Sequence, residues 1–159
     1  MHPQIYVETS IISYLTARPS KNLIVAANQQ LTQEWWETDS SQFNLYVSRL
    51  VIEEASTGDE IAAKQRLSII DPLPLLDITN EALNLANRFI ETRLLPQKAS
   101  RDAAHIAIAA YHGMDYLLTW NCRHLANATL RNDITRICQS VGYESPVICT
   151  PQELIIRGE

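Results

Sequence analysis

Ile5-Tyr6-Val7-Glu8-Thr9-Ser10 is an apolar run that stops on an acid and passes at once to two helix-capping residues. Residues 4–7 read as a buried strand. Thr9 or Ser10 then offers an N-cap to a helix through Ile11, Ile12, Tyr14 and Leu15, ended by Pro19. The same alternation continues outward. Residues 22–37 carry a helical pattern, 43–47 alternate as a second strand, and Ser48 can cap the helix that follows. Gly58-Asp59 separates that helix from another over roughly 60–70. Residues 71–77 form a Pro-rich connector with a short strand, and Thr79 opens a helix to about Leu94. Ser100 caps an Ala-rich helix over 101–112, stopped by Gly113 ahead of the strand Tyr116-Leu117-Leu118-Thr119. A helix over about 129–140, a last strand Pro146–Cys149 and a C-terminal helix starting at Pro151 complete the chain. Strands alternating with helices predict a single α/β domain spanning residues 1–159, a three-layer α/β/α sandwich with a central parallel sheet.

The composition fits that reading. Hydrophobic residues make up 46% and charged residues 19% of 159 residues, an ordinary balance for one globular domain with a real core. No apolar run reaches the length of a membrane span and no signal-peptide pattern opens the chain, so a cytoplasmic protein is expected. The cysteines, Cys122, Cys138 and Cys149, are odd in number and form no CxxC pair, which disfavours a disulfide framework. The histidines are too dispersed for a zinc site; His105 and His112 share a helix with no third ligand near them. A net charge of −5 argues against nucleic-acid binding by bulk electrostatics, an objection that weakens if acids hold a metal. Arg18, Lys21, Arg49, Lys98, Arg101 and Arg123 remain available to line one mouth. The chain has no P-loop, no GxSxG elbow and no Gly-rich dinucleotide loop.

Four polar positions stand out: Glu8 at a strand end, Glu54 in Val51-Ile52-Glu53-Glu54, Asp102 in a first helical turn, and Asn121 in the Thr119-Trp120-Asn121 corner. Ligands of parallel sheets bind beyond the carboxyl ends of the strands, where Glu8 and Asn121 fall. At about 100° per residue, Glu54 lies between Leu50 and Val51 on the apolar face while Glu53 points away. An inward acid needs a partner, because an isolated buried carboxylate is costly. Oxygen-only sites suit a hard cation, Mg²⁺ or Mn²⁺. Each residue also has a plainer account. Glu54 can be an amphipathic edge position reaching water, and Asp102 can serve the helix dipole after a Ser cap. Glu8 can initiate a helix, Asn121 can close a turn, and His105 reads as a hydrogen-bonded core histidine. Trp35-Trp36 read as packing or an oligomer contact.

Ile5-Tyr6-Val7-Glu8-Thr9-Ser10, the Ser48…Glu54 spacing, Asp102-Ala103-Ala104-His105-Ile106-Ala107 and Leu117-Leu118-Thr119-Trp120-Asn121 together resemble the PIN domain, most closely VapC-type toxins of type II toxin–antitoxin pairs. The ending Gly142-Tyr143…Pro146…Thr150-Pro151-Gln152-Glu153-Leu154 is similar to that branch too. The resemblance implies a cytoplasmic Mg²⁺- or Mn²⁺-dependent endoribonuclease that hydrolyses RNA phosphodiesters. Glu8, Glu54 and Asp102 take the places of the metal-holding acids, and Asn121 falls where many members have a fourth Asp. Ser10 matches a small polar residue beside the first acid, with Ser10, Arg101 and Arg123 as substrate contacts. The N-terminus of the first helix, at Thr9 and Ser10, would help hold phosphate. A small antitoxin and a homodimer are the implied partners. Two departures bear on activity: Glu8 is one methylene longer than the usual Asp, and Asn121 removes a negative charge. They point to one well-held ion rather than two, and to reduced activity. The alternatives are a PIN-fold module that binds RNA or a protein without cutting, and a phosphatase-like hydrolase using the same acids.

Overall fold

The computed structural model describes residues 2–155. Five strands, β1 (Gln4–Val7), β2 (Asn44–Ser48), β3 (Leu75–Leu76), β4 (Tyr116–Leu118) and β5 (Val147–Cys149), form one sheet in the order β3-β2-β1-β4-β5. Every pairing is parallel, with Tyr6 opposite Tyr46 on one side and Leu117 on the other. The helices are α1 (Thr9–Thr16), α2 (Leu23–Thr38), α3 (Arg49–Ala55), α4 (Glu60–Ile70), α5 (Asn80–Glu91), α6 (Ser100–Tyr111) and α7 (Ala128–Ser140). α1 packs against α2, α3 and α4, whereas α5 packs against α6 and α7. Right-handed crossovers place these two groups on opposite faces, because the chain first winds from β1 towards β3 and then returns to β4 and β5. The sheet therefore lies between two helical layers, as the alternation of elements predicts.

Burial follows the sequence pattern. Ile5, Tyr6 and Val7 of β1 and Leu117 and Leu118 of β4 are fully buried, as a central parallel strand covered on both faces must be. α5 buries Ala82, Leu85, Ala86 and Phe89, one stripe at helical spacing. It packs on α6, whose Ala103, Ala107, Ala109 and Ala110 let the backbone lie close to its neighbours. Trp35 is core: its ring stacks on Phe43 at 5.8 Å and its indole N–H donates to the Leu154 carbonyl at 2.9 Å. Among the described residues, no helix is long and apolar enough to cross a membrane.

The helix ends depart from the expected caps. The cap of α1 is Glu8 itself, whose carboxylate accepts from the Ser10 N–H. Ser48 occupies the cap position of α3 but spends its hydroxyl on Tyr6. Ser100 is the first residue of α6, entered from a 3₁₀ turn at Gln97–Ala99 without a side-chain cap. Pro151–Leu154 is a 3₁₀ turn with a Thr150–Glu153 capping box; any continuation of the expected C-terminal helix past residue 155 lies outside the described residues.

α5 stops at Glu91 rather than near Leu94 because Arg93 adopts φ 62° and its N–H turns back to the Ile90 carbonyl. The turns after α6 and α7 use Gly113 (φ 68°) and Gly142 (φ 88°) for the same left-handed geometry. A Cβ in that region costs about 1 kcal/mol or more. Arg93→Gly is therefore expected to stabilise the fold by about 0.5–1 kcal/mol, read as a higher urea midpoint at unchanged slope. An unchanged or lower midpoint would mean that the exposed Arg93 side chain contributes more than its backbone costs.

Candidate functional site

β1 and β4 are neighbours although the chain winds away from β1 in both directions, so the crevice beyond their carboxyl ends is the switch point of the sheet. Glu8 stands at that point. Its N–H continues the ladder to the Leu118 carbonyl at 3.0 Å, while its side chain folds back onto α1. Oε1 accepts from the Ser10 hydroxyl at 2.5 Å and the Thr119 hydroxyl at 2.6 Å, and Oε2 accepts from the Ser10 N–H at 3.2 Å. These donors explain how a carboxylate only 7% exposed is tolerated. They also remove one expectation. The Glu8 carboxylate and carbonyl take the Ser10 and Ile11 amides, so the N-terminus of α1 serves this acid and is not a free phosphate cradle.

Glu54 comes from α3 and faces inward, half-buried, while Glu53 is exposed, as helical geometry requires. Its Oε1 accepts from the Thr9 hydroxyl at 2.6 Å and from His105 Nε2 at 2.7 Å. His105, fully buried on α6, continues through Nδ1 to the Tyr6 hydroxyl at 2.7 Å, which meets the Ser48 hydroxyl at 2.7 Å. The carboxylate has no hydrogen to give, so Nε2 carries one and donates it. Burial pushes Tyr6 far above its ordinary value, so it remains a phenol and passes its one hydrogen along the chain. Burial raises the Glu54 carboxyl, but the His105 hydrogen bond and charge, Thr9 and the Arg101 charge outweigh it and hold Glu54 below the usual range. Burial likewise disfavours charge on His105. The Glu54 hydrogen bond and the charges of Glu8, Glu54 and Asp102 overcome it and raise the imidazole above its ordinary value.

Asp102 lies in the first turn of α6, where its Oδ2 accepts from His124 Nδ1 at 3.1 Å. The Asn121 side chain carries out the plainer job foreseen for it: Oδ1 accepts the Arg123 and His124 amides at 3.1 and 3.0 Å and closes a turn. Arg101 and Arg123 are exposed. Donor atoms of Glu8, Glu54 and His105 all lie within 4.8 Å of one another, and Asp102 is outside that triplet. The site thus gathers two of the three expected acids tightly. His105, read correctly as a hydrogen-bonded core histidine, also proves to be the partner of Glu54. Sequence reasoning passed over Tyr6 and His124, and it named Thr9 and Thr119 without their roles as donors to Glu54 and Glu8. Their signal was position alone: strand residues, strand ends and a loop histidine beside a polar corner.

The donor set fits a hard divalent cation. Glu54 Oε2 accepts no hydrogen bond among the described residues, and Glu8 Oε2 accepts only the longest of its three. Each acid therefore keeps an oxygen with spare capacity, the donor type Mg²⁺ and Mn²⁺ select. His105 presents a hydrogen rather than a lone pair to this cluster, so it serves the carboxylate and not a cation.

The PIN domain model matches residues 5–127, a span that holds every residue of this cluster. No curated protein sequence matches the chain. Among solved structures, Mycobacterium tuberculosis VapC20, a sarcin-ricin-loop-cleaving toxin, is similar with a TM-score of 0.59 and 14% identity, over 89% of this chain and 99% of that one. Rickettsia felis VapBC2, bound to a DNA fragment from the promoter of its own genes, gives a TM-score of 0.57 and 11% identity, over 92% and 98%. At such identities the likeness is one of fold. Family model, fold and the placement of the acids at the switch point converge: the chain belongs to the PIN domain family.

Proposed function

We propose that this protein is a Mg²⁺- or Mn²⁺-dependent endoribonuclease and the toxin of a toxin–antitoxin pair. The observation that carries the reading is the convergence of Glu8 and Glu54 at the switch point of a PIN fold. Glu8, Glu54 and Asp102 are the residues to hold the cation. When bound, such an ion acidifies water and offsets charge on the scissile phosphate. The protein's part is orientation. Ser10 and Thr119 fix Glu8, Thr9 and His105 fix Glu54, and the exposed Arg101 and Arg123 supply positive charge for the RNA backbone. The longer Glu8 folds back on α1, where Ser10 holds its carboxylate. RNA as substrate goes with action in the cytoplasm. The VapBC assembly among the structural neighbours supports a small antitoxin as partner, and a homodimer belongs to the same proposal.

A PIN module that binds without cutting is the competing reading, favoured by Asn121, whose side-chain oxygen is committed to a turn and supplies no fourth acid. One experiment separates the two. Purified protein is incubated with structured RNA and Mn²⁺ or Mg²⁺, with EDTA and Asp102→Ala as controls, and Mn²⁺ is titrated by calorimetry. Cleavage that needs the ion and disappears in Asp102→Ala supports the nuclease. Intact RNA together with no heat of Mn²⁺ binding supports the module.

A further inference from the structure

The acids at the switch point are each held by side-chain donors, and among the described residues Asp102 is held by one side chain, that of His124. We infer that His124 is a positioning residue for Asp102, and that Asn121 serves the site by building the turn that carries His124. This rests on the proposed role of Asp102 in holding the cation.

The geometry runs in one direction along the loop after β4. The Thr119 hydroxyl donates to Glu8 at 2.6 Å and accepts the Asn121 N–H at 2.9 Å, tying the start of the loop to the first acid. Asn121 Oδ1 then gathers the Arg123 and His124 amides, and its carbonyl accepts the Ala126 N–H at 2.8 Å, fixing both ends of the turn. What that turn presents is the His124 ring. Its Nδ1–H donates to Asp102 Oδ2 at 3.1 Å across 22 residues of sequence, with side-chain exposures of 18% and 20%. A first-turn aspartate with a partly exposed side chain has several rotamers open to it. One donor from a turn pinned at both ends removes most of that freedom and leaves Oδ1 for a cation. Asn121 thereby does its work through a neighbour. An aspartate there would accept the same two amides with its own carboxylate, so the missing charge costs the turn nothing.

Mn²⁺ affinity, measured by calorimetry on the full chain with melting temperature as a check on folding, tests this directly. Removing a residue that orients a metal ligand typically weakens binding about 10–100-fold. His124→Ala is expected to weaken Mn²⁺ binding about 10-fold, while His124→Asn, whose amide N–H can occupy the place of Nδ1–H, returns most of the loss. Asn121→Ala is expected to weaken binding similarly, and Asn121→Ala/His124→Ala no further than His124→Ala alone, because the two act on one contact. His124→Ala binding as tightly as wild type, while Asp102→Ala does not, overturns the positioning role and leaves the cation site standing. A rescue absent in His124→Asn, or losses that add in the double variant, also overturns it. Wild-type protein that binds no Mn²⁺ removes the cation site itself, and this inference with it.

Discussion

Glu54→Gln is expected to lose about 100-fold or more of its RNA-cleaving kcat/KM while keeping its fold, and Glu53→Gln to keep both. The amide preserves shape and can still accept from Thr9 and from His105 Nε2–H through its carbonyl, so the buried chain to Tyr6 and Ser48 survives. What goes is the negative charge that the proposed cation site would use. A cation that stabilises developing phosphate charge contributes several kcal/mol, and each 1.36 kcal/mol is a factor of about ten in rate. Glu53 is the right control because it has the same chemistry one residue away, on the solvent face of α3. Steady-state cleavage with saturating Mn²⁺ and a melting curve for each variant decide the matter. A Glu54→Gln protein that cuts at the wild-type rate would take Glu54 out of the site. Equal losses in the two variants would point to a general charge effect on RNA docking.

That comparison works because the distinction between Glu53 and Glu54 was legible in the sequence. Helical geometry alone put one inward and one outward, and the structure agrees. The parallel sheet was legible for a similar reason: buried strands alternating with amphipathic helices leave few other arrangements. The caps were not. At Glu8-Thr9-Ser10 three consecutive residues could each satisfy α1, and the choice was made by Thr119, just past β4 and 111 residues away in sequence, which fixes Glu8. Ser48 sits where a cap belongs, yet its hydroxyl finds Tyr6, whose phenol is buried and must be satisfied. The same limit applies to His105 and His124. A periodicity argument could place His105 indoors, but only the fold brings the Glu54 side chain of α3 to His105 of α6, and only the loop after β4 brings His124 to Asp102. Local rules fix what a residue does within its own element. Pairings across elements wait for the topology.

The His105–Glu54 pair also sets an expected pH dependence. Glu54 titrates below its ordinary 4.5, so its contribution to stability is present above about that pH and is lost as pH falls through the lower folded value. His105 titrates above its ordinary 6.5, so its contribution is complete below about that pH and is lost as pH rises through the higher folded value. Both are in force between about 4.5 and 6.5. His105→Ala removes a fully buried ring, the donor to Glu54 and the partner of the Tyr6 hydroxyl, at a cost of about 3 kcal/mol. That cost should be larger at pH 6 than at pH 9, because the contribution of the raised imidazole declines as pH climbs above its ordinary 6.5. Urea unfolding of both proteins in EDTA at the two pH values measures it. A penalty that is the same at both, or greater at pH 9, would show that His105 contributes through packing and hydrogen bonding with no part from its charge. Glu54 would then owe its depressed carboxyl to the neutral His105 hydrogen bond, Thr9 and Arg101, without a charged imidazole.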